Sequence, residues 1–297
     1  MRKPTGTKMS SPAPARSTPT NPPPPSSPKK QCIKEANLAS DPNVRFRAHM
    51  EDSHCLEDTF SSNRDAFYAI FDGHGGREAA DQIAVNFPSI FRQHLASSSL
   101  NHIEEVWFKT YRDVDGKLDE QAMQFQGAAA VATYIHCNED GSKTVYASNL
   151  GDARAVIYTD KTTTRLTKDH KASDRGEIER ITGLGGFVIA SRVQGILSVS
   201  RALGDHGLKP YVSVEPYVYS HTCTAEAMQS SDPSFLIIAC DGLWDIFNDQ
   251  DAVNIAREEL TKKESPEPLS KRMAERLLGS ALQGGSTDNI SIIVVIL

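Results

Sequence analysis

Acidic side chains recur in this sequence where apolar segments begin or end. They are Asp72 after FYAIF, Asp152 in the turn after VYASNL, Asp241 after FLIIAC, Asp288 before NISIIVV, and the pair Glu51-Asp52 in RFRAHMEDSH. A carboxylate at the end of a buried strand must be hydrated, hydrogen-bonded or bound to a cation, because burying it unpaired is costly. Several such carboxylates would repel one another unless a metal ion lay between them. The pattern therefore predicts a metal site.

Carboxylate-rich, all-oxygen sites suit hard cations such as Mg²⁺ or Mn²⁺. Two such ions about 3.5 to 4 Å apart can turn a bridging water into a nucleophile and clamp a phosphoryl oxygen. The glycines beside Asp72 permit close backbone approach, so the carbonyl of Gly73 is a candidate ligand. A single Asp-Gly pair is more often a turn or a helix cap. The prediction of a hydrolytic metal centre therefore depends on the whole set of acids.

Short apolar runs that end in turn residues predict the strands that carry these acids. The runs are AFYAIF (66–71), TVYASN (144–149), RAVIYT (154–159), FLIIAC (235–240) and NISIIVVIL (289–297). The two strands around LGDA have the form of a hairpin. Amphipathic patterns predict helices over about 75–96, 101–120, 174–184, 249–261 and 268–283. Because the strands cluster instead of alternating with helices, the pattern favours an α+β layered fold over a doubly wound one.

Charge is distributed unevenly along the chain. The 297 residues carry a formal net charge of -6, but residues 1–30 hold six basic and no acidic side chains, so the remainder carries -12. A globular part this acidic is a poor partner for nucleic acids, whose binding depends on Lys and Arg. The longest apolar run, IIVVIL, is far shorter than the roughly 20 residues of a spanning helix. We therefore expect neither a nucleic-acid nor a membrane partner.

The cysteines bear on the compartment. All five are scattered, without a CxxC pair, which argues against a disulfide framework or a structural zinc site and favours a reducing compartment. The chain is therefore expected in the cytoplasm, with the nucleus as a second location.

The first segment differs in composition from the rest. Nine of the 16 prolines lie in the first 30 residues, which hold almost no bulky apolar side chain, so a disordered or polyproline-like tail is predicted over residues 1–37. The dipeptides Ser11-Pro12, Thr18-Pro19 and Ser27-Pro28 are either sites for proline-directed kinases or parts of an ordinary solvated leader, and the composition favours the leader.

Seven blocks of the sequence resemble, in order and spacing, the metal-dependent type 2C protein serine/threonine phosphatases, and most of all the small yeast enzymes. The blocks are RFRAHMEDSH, FYAIFDGHGG, NLGDARAVI, LTKDHKASD, ILSVSRALGD, LIIACDGLWD and GSTDNISIIVV. The resemblance covers about residues 38–297, which it identifies as the catalytic domain. It implies a four-layer sandwich, in which two packed antiparallel sheets are flanked by helices and the metals lie in a cleft at one edge.

The resemblance also implies a two-metal centre in which Asp72 bridges the ions. Asp241 and Asp288 would complete the shell of one ion. The other ion would be held by the Gly73 carbonyl and by waters bound to Glu51 and Asp52.

Further roles follow from the same resemblance. A third, weaker ion of some family members would meet Asp152, Asp241 and Asp245. Arg47, five residues before Asp52, matches the arginine that holds the substrate phosphate, a task suited to a forked guanidinium. Its neighbour Arg45 is predicted to be a surface charge. His74 matches the histidine that protonates the leaving seryl or threonyl oxygen.

These roles predict a protein-serine/threonine phosphatase in which a metal-activated water attacks phosphorus in line, without a phosphoenzyme intermediate. Phosphorylated proteins are the predicted substrates and protein kinases further partners, for a monomer with a role in signalling. Two alternatives stay open. A pseudophosphatase acting as a binding module should have lost metal ligands, and none of the motif positions is missing. A phosphatase of small metabolites would be distinguished by its indifference to phosphopeptides.

Overall fold

The computed structural model describes Met1 and residues 31–119, 121–262 and 265–297 of the chain. The predictions for the Pro-rich tail and its Ser-Pro and Thr-Pro dipeptides lie outside these residues. Cys32 and Ile33 are buried. The first strand, β1, spans Glu35–Asp41 and so crosses the predicted boundary between residues 37 and 38. The folded part of the chain thus takes in residues just before that boundary.

Most of the strands form two antiparallel sheets. The first sheet has the order β1, β13 (Ile290–Ile296), β12 (Phe235–Ala239), β6 (Arg154–Thr159) and β7 (Thr162–Arg165). The second sheet has the order β11 (Tyr217–Cys223), β5 (Lys143–Leu150), β4 (Gly127–Cys137), β3 (Asp65–His74) and β2 (Ser53–Glu57). The short strand β10 (Leu203–Gly204) pairs with β4, and β8 (Val188–Ile189) pairs with β9 (Arg192–Val193).

Helices cover the outer faces of both sheets. The second sheet is covered by α1 (Glu78–Ala96) and α2 (Ile103–Asp115), and the first sheet by α6 (Asp249–Arg257) and α7 (Leu269–Gln283). The shorter helices are α3 (Arg175–Gly183), α4 (Ala225–Gln229) and α5 (Asp241–Trp244), with 3₁₀ turns at Leu100–His102, His206–Leu208 and Glu258–Thr261. Within the described ranges, none of the helices is long and apolar enough to cross a membrane.

Strand β3 shows how the layers are held together. Phe67 and Phe71 lie in the cluster that includes Phe87 and Trp107, between the second sheet and its helices. Tyr68 and its neighbours on the opposite face of the strand pack between the two sheets. A strand buried on both faces must be apolar throughout, which explains the run AFYAIF. The structure confirms the predicted α+β fold of two packed antiparallel sheets flanked by helices.

The predicted hairpin around LGDA is wrong. Strand β5 pairs with β4 and β11, whereas β6 pairs with β12 and β7, so the turn carries the chain from one sheet to the other. Gly151 in this turn has φ of 78°, and a Cβ there would lie 2.5 Å from the Cβ of Ala129. The crossing therefore requires glycine. It places Asp152 at the edge where the two sheets meet.

The five predicted strands and the five predicted helices are present; β6 has the predicted bounds and the others have shifted ends. Helix α1 begins at Glu78, because Gly75 and Gly76 precede it with φ of 72° and 139°. Helix α3 begins just after Asp174, whose carboxylate accepts hydrogen bonds from the backbone N–H groups of Gly176 and Glu177. This N-cap explains where the helix starts.

Candidate active site

Strand ends and loops from both sheets enclose a pocket of about 220 Å³ at one edge of the sandwich. The predicted site residues that line it are Arg47, Asp72, Gly73, His74, Asp152, Asp241 and Asp288. They come from separate elements: the end of β3, the crossing after β5, the start of α5 and the residue pair before β13. Residues distant in sequence therefore meet only through the pairing of the strands.

Asp72 is shared by two groups of potential metal ligands. Its carboxylate, together with those of Asp152 and Asp241, offers ligand atoms that all lie within 4.8 Å of one another. The same limit holds for Asp72 with Asp52 and Cys240. A carboxylate common to both groups is positioned to bridge two ions.

The electrostatics of the site favour a bound cation. Burial and the neighbouring Asp241 raise the pKa of Asp72 well above its ordinary value, and burial with Asp152 does the same to the pKa of Asp241. Burial also raises the pKa of Asp52 to about 6 and that of Asp152 to about 6. Ionised carboxylates this close together are unfavourable unless a positive charge compensates them.

Asp52 supplies the most direct test of whether a metal fits. The residue is 2% exposed, and neither oxygen of its carboxylate has a hydrogen-bond partner among the described residues. Buried polar atoms of this kind are rare in folded proteins and call for an ion or a water. Since the surrounding donors are carboxylate oxygens, the site fits a hard divalent cation.

Cys240, which is grouped with Asp52 and Asp72, already makes hydrogen bonds within the protein. Its Sγ accepts a hydrogen bond from the Ser291 N–H at 3.2 Å and lies 3.4 Å from the Asn289 carbonyl oxygen. Burial raises the pKa of this thiol well above its ordinary value. Cys240 is therefore a protonated neighbour of the carboxylates.

Gly73 and Glu51 approach each other through their backbones. A Cβ on Gly73 would lie 2.3 Å from the carbonyl oxygen of Glu51, so only glycine fits at this position. The N–H of Glu51 donates to Oδ1 of Asn289 at 2.8 Å, and Nδ2 of Asn289 donates to the carbonyl oxygens of Pro42 and His49. Asn289 thus fixes the segment that carries Glu51 and Asp52, a role that the sequence reasoning missed.

Arg47 reaches the pocket and pairs with the carboxylate of Asp288. Arg45, two residues away, is exposed, and its guanidinium lies 5.3 Å from the centre of the Phe46 ring. Of these two arginines, only Arg47 lines the pocket.

His74 is held by a residue that the sequence reasoning did not assign. Its Nε2 lies 2.7 Å from Oδ2 of Asp205, whose side chain is 1% exposed. Gly127 lies opposite His74 in the strand pairing, and a Cβ there would be 2.2 Å from the same oxygen. The only available signal for Asp205 was its position in the block ILSVSRALGD.

Lys171 is a third residue that the sequence did not reveal, after Asn289 and Asp205. Its Nζ lies 2.8 Å from Oδ1 of Asp245 and 3.8 Å from Oδ2 of Asp152. Burial alone would lower the pKa of Lys171, but Asp245 and Asp152 raise it. Asp245 is exposed and faces this ammonium group beside the pocket. The positive charge of Lys171 thus lies between two of the three carboxylates predicted for a third ion, Asp152 and Asp245.

Carboxylates from several strand ends around a pocket that is also lined by a histidine and two arginines, Arg47 and Arg192, form a site suited to metal-dependent hydrolysis. The family model described as Protein phosphatase 2C matches residues 37–290. The chain belongs to the protein phosphatase 2C family.

Individual relatives agree with this assignment. Protein phosphatase 2C homolog 1 of Schizosaccharomyces pombe is 36% identical over 273 residues, which cover 91% of this chain and 75% of that protein. Protein phosphatase 2C homolog 1 of Saccharomyces cerevisiae is 31% identical over 273 residues, 88% of this chain and 92% of that protein. The chain is a metal-dependent protein serine/threonine phosphatase, and its substrates are phosphorylated proteins.

Solved structures share the fold. A Caenorhabditis elegans sex determining protein is similar with a TM-score of 0.75 at 25% identity, over 91% of this chain and 66% of that chain. Serine-threonine phosphatase 2C from Toxoplasma gondii gives a TM-score of 0.70 at 21% identity, over 90% of this chain and 97% of that chain.

Proposed function

We propose that the pocket binds two divalent cations, Mg²⁺ or Mn²⁺, with Asp72 between them. The observation that carries this proposal is that Asp72 belongs to both groups of potential ligands, one of which includes the unpartnered carboxylate of Asp52. Asp241 and Asp288 would complete one shell. The second ion would be held by the Gly73 carbonyl and, through water, by Glu51 and Asp52. Asp152, Asp241 and Asp245 would serve a weaker third ion, in competition with Lys171 for Asp152 and Asp245.

The ions, when bound, supply an activated water as nucleophile and neutralise charge on the phosphoryl group. Arg47 holds the substrate phosphate through its guanidinium fork, which already points into the pocket from its pairing with Asp288. Its positive charge would stabilise the transition state, in which negative charge is spread over the three equatorial oxygens of the transferring phosphoryl group.

His74 donates the proton to the leaving seryl or threonyl oxygen. Because Nε2 is bonded to Asp205, the transferable proton is the one on Nδ1. Asp205 holds the ring in one orientation, so it is a positioning residue. The reaction needs no protein nucleophile, and no phosphoenzyme forms.

Asp72→Asn tests the metal centre. We expect this variant to lose at least about 100-fold in kcat on a phosphoserine peptide with Mn²⁺, because it removes the ligand common to both ions. Calorimetric titration with Mn²⁺ should show fewer sites than in the unchanged protein. Asp140→Asn, in an exposed turn, is the matched control and should retain activity. Near-normal turnover by Asp72→Asn would refute the two-metal proposal.

We further propose that the chain acts as a monomer in kinase signalling, in the cytoplasm and also in the nucleus, with protein kinases among its partners. The folded part of the chain, which takes in Cys32, Ile33 and β1 from Glu35, would carry the activity. The charge of -12 on residues 31–297 supports the absence of a nucleic-acid partner. A comparison of turnover on phosphopeptides and on sugar phosphates tests the substrate class. The mass in solution, measured by light scattering, tests whether the chain is a monomer.

A further inference from the structure

Two thiols face each other at the end of the sandwich remote from the pocket. The Sγ atoms of Cys32 and Cys137 lie 2.7 Å apart although the residues are 105 positions apart in sequence. Both cysteines are free in this structure. A bond of about 2.05 Å between these atoms would need little movement of the backbone.

The two thiols differ in access. Cys32 is 0% exposed, whereas Cys137 is half-buried and lines a surface pocket of about 310 Å³. A small oxidant can therefore reach Cys137, while Cys32 lies behind it. This order of access is the one required of a reactive thiol and its resolving partner.

The surroundings of Cys137 are basic. Lys143 lies opposite Cys137 in the pairing of β4 with β5, and the Arg64 guanidinium donates to the Cys137 carbonyl oxygen at 2.7 Å. The hydrogen bond between the two thiols, together with Lys143 and Arg64, lowers the pKa of the Cys137 thiol to about 7. The same hydrogen bond raises the pKa of Cys32. Cys137, the accessible thiol of the pair, is therefore the one that ionises more readily.

We propose that Cys32 and Cys137 form a peroxide-sensitive dithiol, in which Cys137 is oxidised first and Cys32 resolves it to a disulfide. The Cys137 thiolate attacks one oxygen of hydrogen peroxide, the O–O bond breaks, and hydroxide leaves, which gives a sulfenic acid. The Cys32 sulfur then attacks the Cys137 sulfur, the S–O bond breaks, and water leaves with the Cys32 proton. Two thiols thus lose two electrons to one peroxide, and a small thiol reductant reverses the change.

The disulfide joins the start of the folded chain to the second sheet. Strand β4 runs from Gly127, opposite His74, to Cys137, so the bond lies about 30 Å from the pocket at the usual rise per residue. Oxidation should leave phosphopeptide turnover within about twofold. It should raise the melting temperature by about 5 °C or more, because the bond closes a long loop.

Peptide mapping by mass spectrometry under non-reducing conditions tests the proposal on the full-length protein. After mild hydrogen peroxide treatment we expect one disulfide, between Cys32 and Cys137, with a loss of about 2 Da that dithiothreitol reverses. Cys55 is the internal control, since it is also half-buried but burial and Glu57 raise its pKa to about 12. Cys137 should react at least about tenfold faster than Cys55.

Cys32→Ser separates the two steps. In this variant the sulfenic acid on Cys137 has no resolving thiol, so dimedone should label Cys137, and Cys55→Ser should instead behave like the unchanged protein. If Cys32→Ser fails to fold, the mapping of the unchanged protein decides alone. A Cys137 that stays reduced while Cys55 is oxidised, or a disulfide between any other pair, would overturn the proposal.

Discussion

The pair formed by His74 and Asp205 shows how one buried charge can define the role of a catalytic residue. Asp205 is almost fully enclosed, and it contacts Nε2 of His74 at 2.7 Å. Gly127 makes this possible, because any larger residue would occupy the position of the carboxylate. The imidazole therefore has one nitrogen fixed by the protein and the other free to serve the substrate.

Asp205→Asn should impair proton donation selectively. We expect kcat on a phosphoserine peptide to fall by about 10- to 100-fold, because its alkoxide leaving group needs the proton. Turnover of p-nitrophenyl phosphate should change by less than about threefold, since nitrophenolate leaves without protonation. Steady-state kinetics on both substrates measure this ratio.

Asp115→Asn is the matched control for that experiment. Asp115 also supports the segment that carries Asp205, through a hydrogen bond from the Gly204 N–H at 2.8 Å, but it acts away from His74. A purely structural effect would lower both activities together in either variant. Equal losses on the two substrates in Asp205→Asn would therefore contradict the positioning role.

The sequence permits prediction of residues whose chemistry is visible in their type and position. Asp72, Asp241 and Asp288 stand where apolar strands begin or end, which made them candidates from the sequence, and the resemblance to the family implied that they meet at one edge. Asp205 and Lys171 act through contacts with groups far away in sequence. Nothing in their immediate neighbours indicates those contacts, which depend on the packing of the loops.

Helix α3 is the element that joins the loop beside the pocket to the rest of the fold. Its Glu177, 4% exposed, contacts Arg201 at 2.6 Å and Arg180 at 2.9 Å. Arg180 also donates to the carbonyl oxygens of Ser200 and Tyr211. This network fixes the segment that follows the pocket-lining residues Leu197, Ser198 and Val199.

Glu177→Gln should destabilise the protein in a manner that depends on pH. Burial alone would raise the pKa of Glu177, but Arg201 and Arg180 lower it to about 2. Since the folded pKa is below the unfolded value, the stabilisation is full above about pH 4.5 and is lost as pH falls towards 2. At pH 7 we expect a loss of about 3 kcal/mol in the free energy of unfolding.

Urea denaturation at pH 7 and at pH 3 measures this difference between Glu177→Gln and the unchanged protein. The gap should be wide at pH 7 and narrower at pH 3. Glu179→Gln on the same helix is the control, because its pair with Arg175 is exposed and worth less than about 1 kcal/mol. A gap that did not change with pH would show that the charge of Glu177 is not what stabilises the loop.

At the scale of elements, strand β4 and the connection around Gly151 are two of the features that escaped prediction, each for a physical reason. Strand β4 begins with GAAAVA, and alanine has a low intrinsic preference for strands, so its central position follows from pairing with β3 and β5. The hairpin around Gly151 was predicted from adjacency in sequence, and the packing of two sheets overrode it. Strands β3, β12 and β13 were predictable because they are buried on both faces and therefore apolar throughout.

The molecule as a whole carries its catalytic site at a cost in stability. Four buried or half-buried aspartates with raised pKa values meet at one edge of the sandwich; they are Asp52, Asp72, Asp152 and Asp241. Around neutral pH their charges oppose folding in the absence of a cation. Repulsion of this kind is common at functional sites, and removing it commonly stabilises a protein while abolishing its activity.

Asp72→Asn should therefore stabilise the metal-free protein, although it abolishes turnover. The folded pKa of Asp72 lies above the unfolded value, so its ionisation opposes folding as pH rises, and the amide removes this cost. At pH 8 in EDTA we expect a gain of about 1 to 3 kcal/mol in the free energy of unfolding. The gain should shrink towards pH 5, below the pKa of about 6 for Asp52, because the carboxyls of the unchanged protein are then protonated.

Mn²⁺ should reverse the order of stability of the two proteins at pH 8, since a ligand stabilises only the fold that binds it. Thermal denaturation of both proteins and of Asp140→Asn, with EDTA and with Mn²⁺, provides the comparison. A metal-free Asp72→Asn that melted below the unchanged protein at pH 8 would mean that this aspartate supports the fold itself, and that repulsion within the cluster is not the dominant effect.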